Sequence, residues 1–289
     1  MNWAQRCQLS RLAVIEAERI RLSEKIPHEA PIDPIDTAIK CGCEVRFLSL
    51  ASLEGVYSPE PRPTIVLGSE RPAGRRTFTC AHELGHHVFN HGMRIEELNA
   101  RRHSGIKSHE EFLVDAFAGF LLMSQTAVLR SLKDRGWSAT SLQPEQVFKL
   151  ANFFGVGYGT VINHLALSLR LIQRDYAEEL MKIHPKQIKT QYGESTNSEL
   201  VFADYHWRNR AVDLAVGDIL VLPQDASIEA EGKLEYVIDK KDSVVYRAIN
   251  PGLARSFCHE REWAVNIRVS RKNYEGLAQY RFLEESEVK

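Results

Sequence analysis

A secretion signal is the first thing missing. Met1-Asn2-Trp3-Ala4-Gln5-Arg6 has no apolar core behind it, and the helix that follows is studded with Arg and Glu. No stretch reads as long and apolar enough to span a bilayer, so no membrane role is expected. An excess of either charge is missing too. The chain has 37 Lys and Arg against 38 Asp and Glu, a formal net charge of -1, which gives no general pull toward nucleic acid or anionic lipid. Nor is there a disulfide framework: five cysteines, an odd number without framework spacing, suit a reducing cytoplasm. Cys41-Gly42-Cys43 has no second Cys pair to make a metal site, and Cys258-His259-Glu260 reads as incidental. No internal repeat is visible. What remains is ordinary globular chemistry, 289 residues with room for two or three domains.

Against that background one run carries chemistry: Phe78-Thr79-Cys80-Ala81-His82-Glu83-Leu84-Gly85-His86-His87. Residues i and i+4 lie about 40° apart around a helix and one turn apart along it, so His82 and His86 can share one metal ion. Glu83 can then reach a water bound to that metal. This HExxH spacing is the pattern of a zinc metallopeptidase. Phe78, Leu84, Val88 and Phe89 supply an apolar face near helical spacing, with Thr77 as the expected cap and Asn90-His91-Gly92 as the expected stop.

Two histidines leave a catalytic zinc short of a third protein ligand and an open position for water. After a polar stretch through Ser108, a second helical segment runs from Glu110 to Met123, with Glu111 and Asp115 at i and i+4 on one face. Glu111 is the natural third ligand. Asp115 stands inside an apolar run, where an unpaired carboxylate is costly. It is expected to accept the other ring N–H of a ligand imidazole and so orient it. A two-His, one-Glu set does not by itself distinguish zinc from manganese. His103, His109 and Tyr57 are the candidates for stabilising an oxyanion, and spacing does not choose among them. His87 and His91, on a different helical face, read as surface or packing residues.

FTCAHELGHHVFNH followed by EEFLVDAFAGFLLM resembles the ImmA/IrrE family of bacterial metallopeptidases, gluzincin-like proteins whose usual form is FTxAHELGH and then ExxAxxFAxxLLMP. Glu111 falls on the family's ligand glutamate, Phe117-Ala118 on its FA and Leu121-Leu122-Met123 on its LLM. Ser124 stands where proline is common and Cys80 where an aliphatic residue is. Neither touches the metal chemistry. The resemblance implies a zinc endopeptidase that cleaves a helix-turn-helix transcriptional repressor and relieves repression under stress or mobile-element induction. Two alternatives stay open: a non-proteolytic regulator that binds a repressor or DNA, and a toxin–antitoxin or phage-defence component.

The expected fold is α+β, in three parts. Residues 1–125 make a zincin-like minimal metallopeptidase domain of helices and a three-stranded sheet. Its first helix covers residues 3–26, with Leu9, Leu12, Ile15, Arg19 and Leu22 on one face. Asp33-Pro34 starts a second helix, which stops at Gly42. Strands at Glu44–Leu48, Val56–Ser58 and Thr64–Leu67 follow, with Gly55-Val56-Tyr57 as the edge that could hold an extended peptide. Residues 126–184 make a helical module resembling a helix-turn-helix, built on Val147–Val156 and Thr160–Leu165 with Gly155 at the turn. Its second helix offers Tyr158, Thr160, Asn163 and His164 but no cation before Arg170, so DNA binding is weakly supported. Residues 185–289 open with a linker, Gln187 to Ser198, and continue as a mostly-β accessory or sensing domain. Its strands are expected at Leu200–Trp207, Ile219–Leu222, Tyr236–Asp239, Val244–Ile249 and Val265–Val269, with a hairpin turn at Asp239–Asp242.

Overall fold

The computed structural model describes residues 1–97, 108–192, 198–208 and 210–283. Helix α1 (Trp3–Ser23) is opened by a capping box between Asn2 and Gln5. Its inward face is not the expected one. Leu12, Ile15 and Leu22 are exposed, while Ala13, Ala17, Ile20 and Arg21 are buried. The reason is steric: alanines let α1 lie close against the helix that carries Glu111, and larger side chains would hold the two apart. Arg21 sits at 0% exposure in that interface. Its guanidinium donates to Ala30 O at 2.9 Å, Pro27 O at 3.2 Å and Leu121 O at 2.7 Å. Bonds to a charged donor, roughly 1.5–3 kcal/mol each, offset its desolvation. Burial still brings its pKa down to about 10.

Helix α2 (Pro34–Lys40) is capped by Asp33, which accepts from Ile35 N at 2.9 Å. The three expected strands are present as β1 (Glu44–Leu48), β2 (Leu53–Ser58) and β3 (Thr64–Gly68). The sheet gains two more, β4 (Arg94–Glu97) and, from the far end of the chain, β13 (Gly276–Leu277). The order is β13-β1-β3-β2-β4, with β1 and β3 parallel and the other pairs antiparallel. Gly55-Val56-Tyr57 is therefore not an edge. Gly55 pairs with Glu96, Val56 with Ile95 and Tyr57 with Arg94. A four-residue, charge-rich strand gives almost no sequence signal.

Helix α3 (Ala73–Val88) packs on this sheet and is buried continuously from Thr79 to His86. It starts a turn earlier than expected, at Pro72 and without a side-chain cap, so Thr77 lies inside it. Helix α4 (His109–Leu122) crosses α3 at Gly85, where an added Cβ would stand 3.0 Å from Val114 Cβ and 3.1 Å from Phe117 Cδ1. The missing side chain sets the distance between the two helices. α4 and α5 (Gln125–Asp134) together form a run, His109–Asp134, that by length and composition could cross a membrane. This corrects the reading that no stretch could. The run is interrupted at Met123, and Ser124 caps α5 anew. α4 alone, at 1.5 Å per residue, is roughly 21 Å long, short of a hydrocarbon core. In the fold 61% of the apolar window is buried, which makes this the core helix of the first unit.

The helix-turn-helix-like pair is α6 (Pro144–Phe154) and α7 (Tyr158–Asn163), with Gly155 left-handed at φ +66° between them. The side chains that a reading helix would offer are turned inward. Tyr158 donates to Leu180 O at 3.0 Å, and His164 Nε2 donates to Met123 O at 2.8 Å. Only Asn163, of the four named above, is exposed. Burial holds the His164 pKa down to about 4. A histidine in the unfolded chain titrates near 6.5, so the native advantage of neutral His164 is complete above pH 6.5. It is lost as pH falls from there toward 4, and amounts to roughly 3 kcal/mol. Urea unfolding followed from pH 7 to pH 4 should therefore show a steeper loss of stability in the wild type than in His164→Asn, whose amide can keep the bond to Met123. Parallel curves would contradict this assignment.

Helix α8 (Arg174–Met181) follows, and where a linker was expected, α9 (Pro185–Thr190) forms a short helix, with Ile188 buried and Lys189 paired to Glu199 at 2.7 Å. Residues 193–197 of that stretch lie outside the described residues. Beyond it two four-stranded sheets follow, β5-β7-β10-β9 and β6-β12-β11-β8, in which β5 is Leu200–Phe202, β7 Ile219–Pro223 and β12 Trp263–Ser270. The expected hairpin joins β9 (Leu234–Lys240) to β10 (Ser243–Ala248). β6 (Val212–Ala215), β8 (Ser227–Glu229) and β11 (Gly252–Cys258) were not anticipated. Trp207 and Trp263 sit in this core, the Trp263 Nε1–H donating to Trp207 O at 3.1 Å. The architecture is α+β, a zincin-like unit of helices on a small mixed sheet followed by a mostly-β region.

Candidate metal centre

α3 and α4 meet where Gly85 lets them, and their facing residues are the two imidazoles and Glu111. His82 Nε2 and His86 Nε2 are 3.2 Å apart. Glu111 Oε2 stands 3.4 Å from His82 Nε2, and Oε1 3.7 Å from His86 Nε2. One ligand atom from each residue falls within 4.8 Å of the others, which positions the three to hold a metal ion. The spacing fits zinc. With ligand bonds of 2.0–2.1 Å, donors around a tetrahedral ion stand about 3.3 Å apart. The imidazoles are buried, while the Glu111 side chain is 35% exposed, so the cluster opens to solvent on the α4 side. Ser108 fixes the start of α4 by accepting from Glu111 N at 3.1 Å. Two acidic residues in the first turn suit the helix dipole.

Each imidazole is held through its other nitrogen. Asp115 Oδ1 lies 2.9 Å from His82 Nδ1. His91 Nδ1 lies 2.9 Å from His86 Nδ1. Both rings thus turn Nε2 toward the cluster. The place of His91 differs from the surface or packing role expected for it. Asn90 is left-handed at φ +53°, and His91 N returns to His86 O at 2.9 Å, which folds the chain back under the last turn of α3. The ring of His91 stacks on Phe89 with centroids 6.0 Å apart. The Asn90-His91-Gly92 stop was the signal that could have found it, since asparagine tolerates this conformation.

Glu83 is fully buried beside β2. A Cβ on Gly55 would stand 2.7 Å from Glu83 Oε1 and 2.4 Å from Thr79 Cγ2, so glycine there leaves the space that the Glu83 side chain occupies. His87, on the next face of α3, meets Tyr57 instead, with Nδ1 and the phenol oxygen 3.0 Å apart. Tyr57 is buried in that contact, and burial raises its pKa. His109 is exposed at the start of α4, and His103 lies outside the described residues. All five cysteines are free; Cys80, within the motif, is buried and its thiol is pushed well up by burial. It packs as a small hydrophobe.

Residues 40–166 match the model of the peptidase family described as the IrrE N-terminal-like domain. That span takes in β1 to β4, α3, α4 and the helix-turn-helix-like pair. The chain carries an IrrE/ImmA-like zinc metallopeptidase domain, with a His-Glu-x-x-His motif and a metal-binding triad. No curated protein matches the chain.

Proposed function

We propose that this chain is a cytoplasmic zinc endopeptidase whose substrate is a helix-turn-helix transcriptional repressor, cleaved to relieve repression under stress or mobile-element induction. In this reading His82, His86 and Glu111 hold the metal, and Glu83 is the general base. Asp115 and His91 orient the two imidazoles. Residues 1–125 form the peptidase domain, 126–184 a helical packing module and 185–289 an accessory or sensing domain. One observation carries the chemical part: three donors at 3.2, 3.4 and 3.7 Å, with both Nδ1 atoms engaged elsewhere.

A zinc ion held by His82, His86 and Glu111 would supply Lewis acidity for activating a water and polarising the scissile carbonyl. Glu83 takes the proton from the attacking water and passes it to the leaving amine. Its burial keeps the carboxylate out of bulk solvent. Asp115 holds the His82 Nδ1–H, so that Nε2 keeps its lone pair for the metal. His91 does the same for His86 from the other side. The repressor reading draws its support from the family resemblance. The inward-turned Tyr158 and His164 weigh against the alternative in which the helix pair itself reads DNA.

The test is cleavage of a repressor encoded beside this gene by purified, zinc-loaded protein, followed by mass spectrometry. A discrete cut in the repressor, absent after chelation, is expected. An intact repressor that binds the protein tightly would favour the non-proteolytic regulator.

A further inference from the structure

A cavity of about 580 Å³ lies away from the metal cluster. It lies toward the first turns of α3, which carry Arg76. The helix-turn-helix-like turn and the mostly-β region complete its walls. These parts are closely joined: a Cβ on Gly74 would stand 2.7 Å from the backbone of Val156. The volume falls in the range of small-molecule sites.

Most charges around it are neutralised within the protein. Lys189 pairs with Glu199 at 2.7 Å. Arg281 faces Asp33 at 3.6 Å and Asp213 at 3.9 Å. Asp218 accepts from Ala215 N at 2.7 Å and Glu199 N at 2.9 Å, and burial pushes its pKa up to about 6. Two guanidiniums are different. Arg76 makes one hydrogen bond, to Ser69 O at 3.1 Å, and stands over the Phe47 ring at 5.7 Å. Arg210 makes one, to Phe153 O at 2.8 Å, and lies against Gly155, where a Cβ would meet its Nη2 at 2.5 Å. Neither has a carboxylate within 4 Å among the described residues. Burial lowers the pKa of both. Asp218 and Glu199 act on Arg76, and Asp33 and Asp213 on Arg210, only from beyond ion-pair distance. A desolvated cation without a contacting counter-ion is costly, and two lining one cavity favour an anion there. Phe47, Phe78, Phe148 and Tyr158 line the same space and offer apolar and aromatic surface.

We propose that this cavity binds a small organic anion, a carboxylate or phosphate carried on an aromatic or otherwise apolar body, with Arg76 and Arg210 as its cationic contacts. The proposal does not depend on the peptidase reading. It does place the ligand on the same helix as His82 and His86, upstream of both.

The test uses the full zinc-loaded chain with three probes: benzoate, phenyl phosphate and the uncharged benzyl alcohol. Calorimetric titration and thermal melts are read together. At least one anion should bind saturably and raise the Tm, and benzyl alcohol should do neither. The two anions separate the carboxylate from the phosphate source. Arg76→Gln should weaken binding about tenfold or more, through loss of a charge-assisted contact, and Arg76→Lys should recover part of it. Without ligand, Arg76→Gln should melt no lower than the wild type, because an unpaired cation has been removed. Should it fail to fold, Arg210→Gln and Arg76→Lys make the same comparison. Binding of neither anion more tightly than about 10 mM would overturn the proposal. So would anion affinity unchanged in the variants, which would place the anion at the zinc.

Discussion

Replacing Glu83 by Gln is expected to abolish peptide cleavage while zinc content stays at the wild-type level. The amide has nearly the same shape, and the space opposite Gly55 accepts it as it accepts the carboxylate. What it lacks is a basic oxygen to take up the water's proton. Loss of general-base catalysis lowers turnover by about 10²- to 10⁴-fold. With Glu83 itself fully buried, little replaces the missing base. Metal analysis beside a cleavage assay on the same preparation separates this from unfolding. A Glu83→Gln protein that cleaves or derepresses normally would remove Glu83 from the chemistry.

Metal content should respond in steps to the residues around the cluster. His82→Ala and Glu111→Ala each delete one of three donors, and stoichiometric zinc should be lost. Asp115→Asn keeps the three donors but weakens the hold on His82, 2.9 Å away. It should retain zinc at about 10- to 100-fold lower affinity. Because the ion binds only the folded chain, the losses should also appear as lower melting temperatures in added zinc, converging when chelator is present. Inductively coupled plasma measurements on the four proteins, with circular dichroism to verify folding, make the check. Equal zinc in all of them would remove the cluster as the metal site.

How much of this could be read from the sequence follows from the range of each interaction. His82, His86, Glu111 and Asp115 were legible because i,i+4 spacing converts directly into a shared helical face. That α3 and α4 would bring these faces together was inferred from donor chemistry, and the spacing itself depends on Gly85 meeting Val114 and Phe117. The contact of His91 with His86 needs a left-handed turn at Asn90, a local device that periodicity does not record. α1 misled for another reason. Its largest apolar side chains face outward, and its packing is decided by Ala13, Ala17 and a buried arginine, which a hydrophobic pattern passes over. β4 and β13 were invisible because both are short and take their conformation from the strands they join.

β13 also orders events in time. Gly276 and Leu277 pair with Phe47 and Arg46, closing the near side of the peptidase sheet with residues far along the chain from it. Such distant pairing slows folding, since the intervening loop must be closed before the contact repays it. During synthesis the helix bearing both histidines leaves the ribosome long before that strand does. A nascent chain therefore carries its metal donors on a sheet with an open flank, and closes that flank only after the distant strand has emerged.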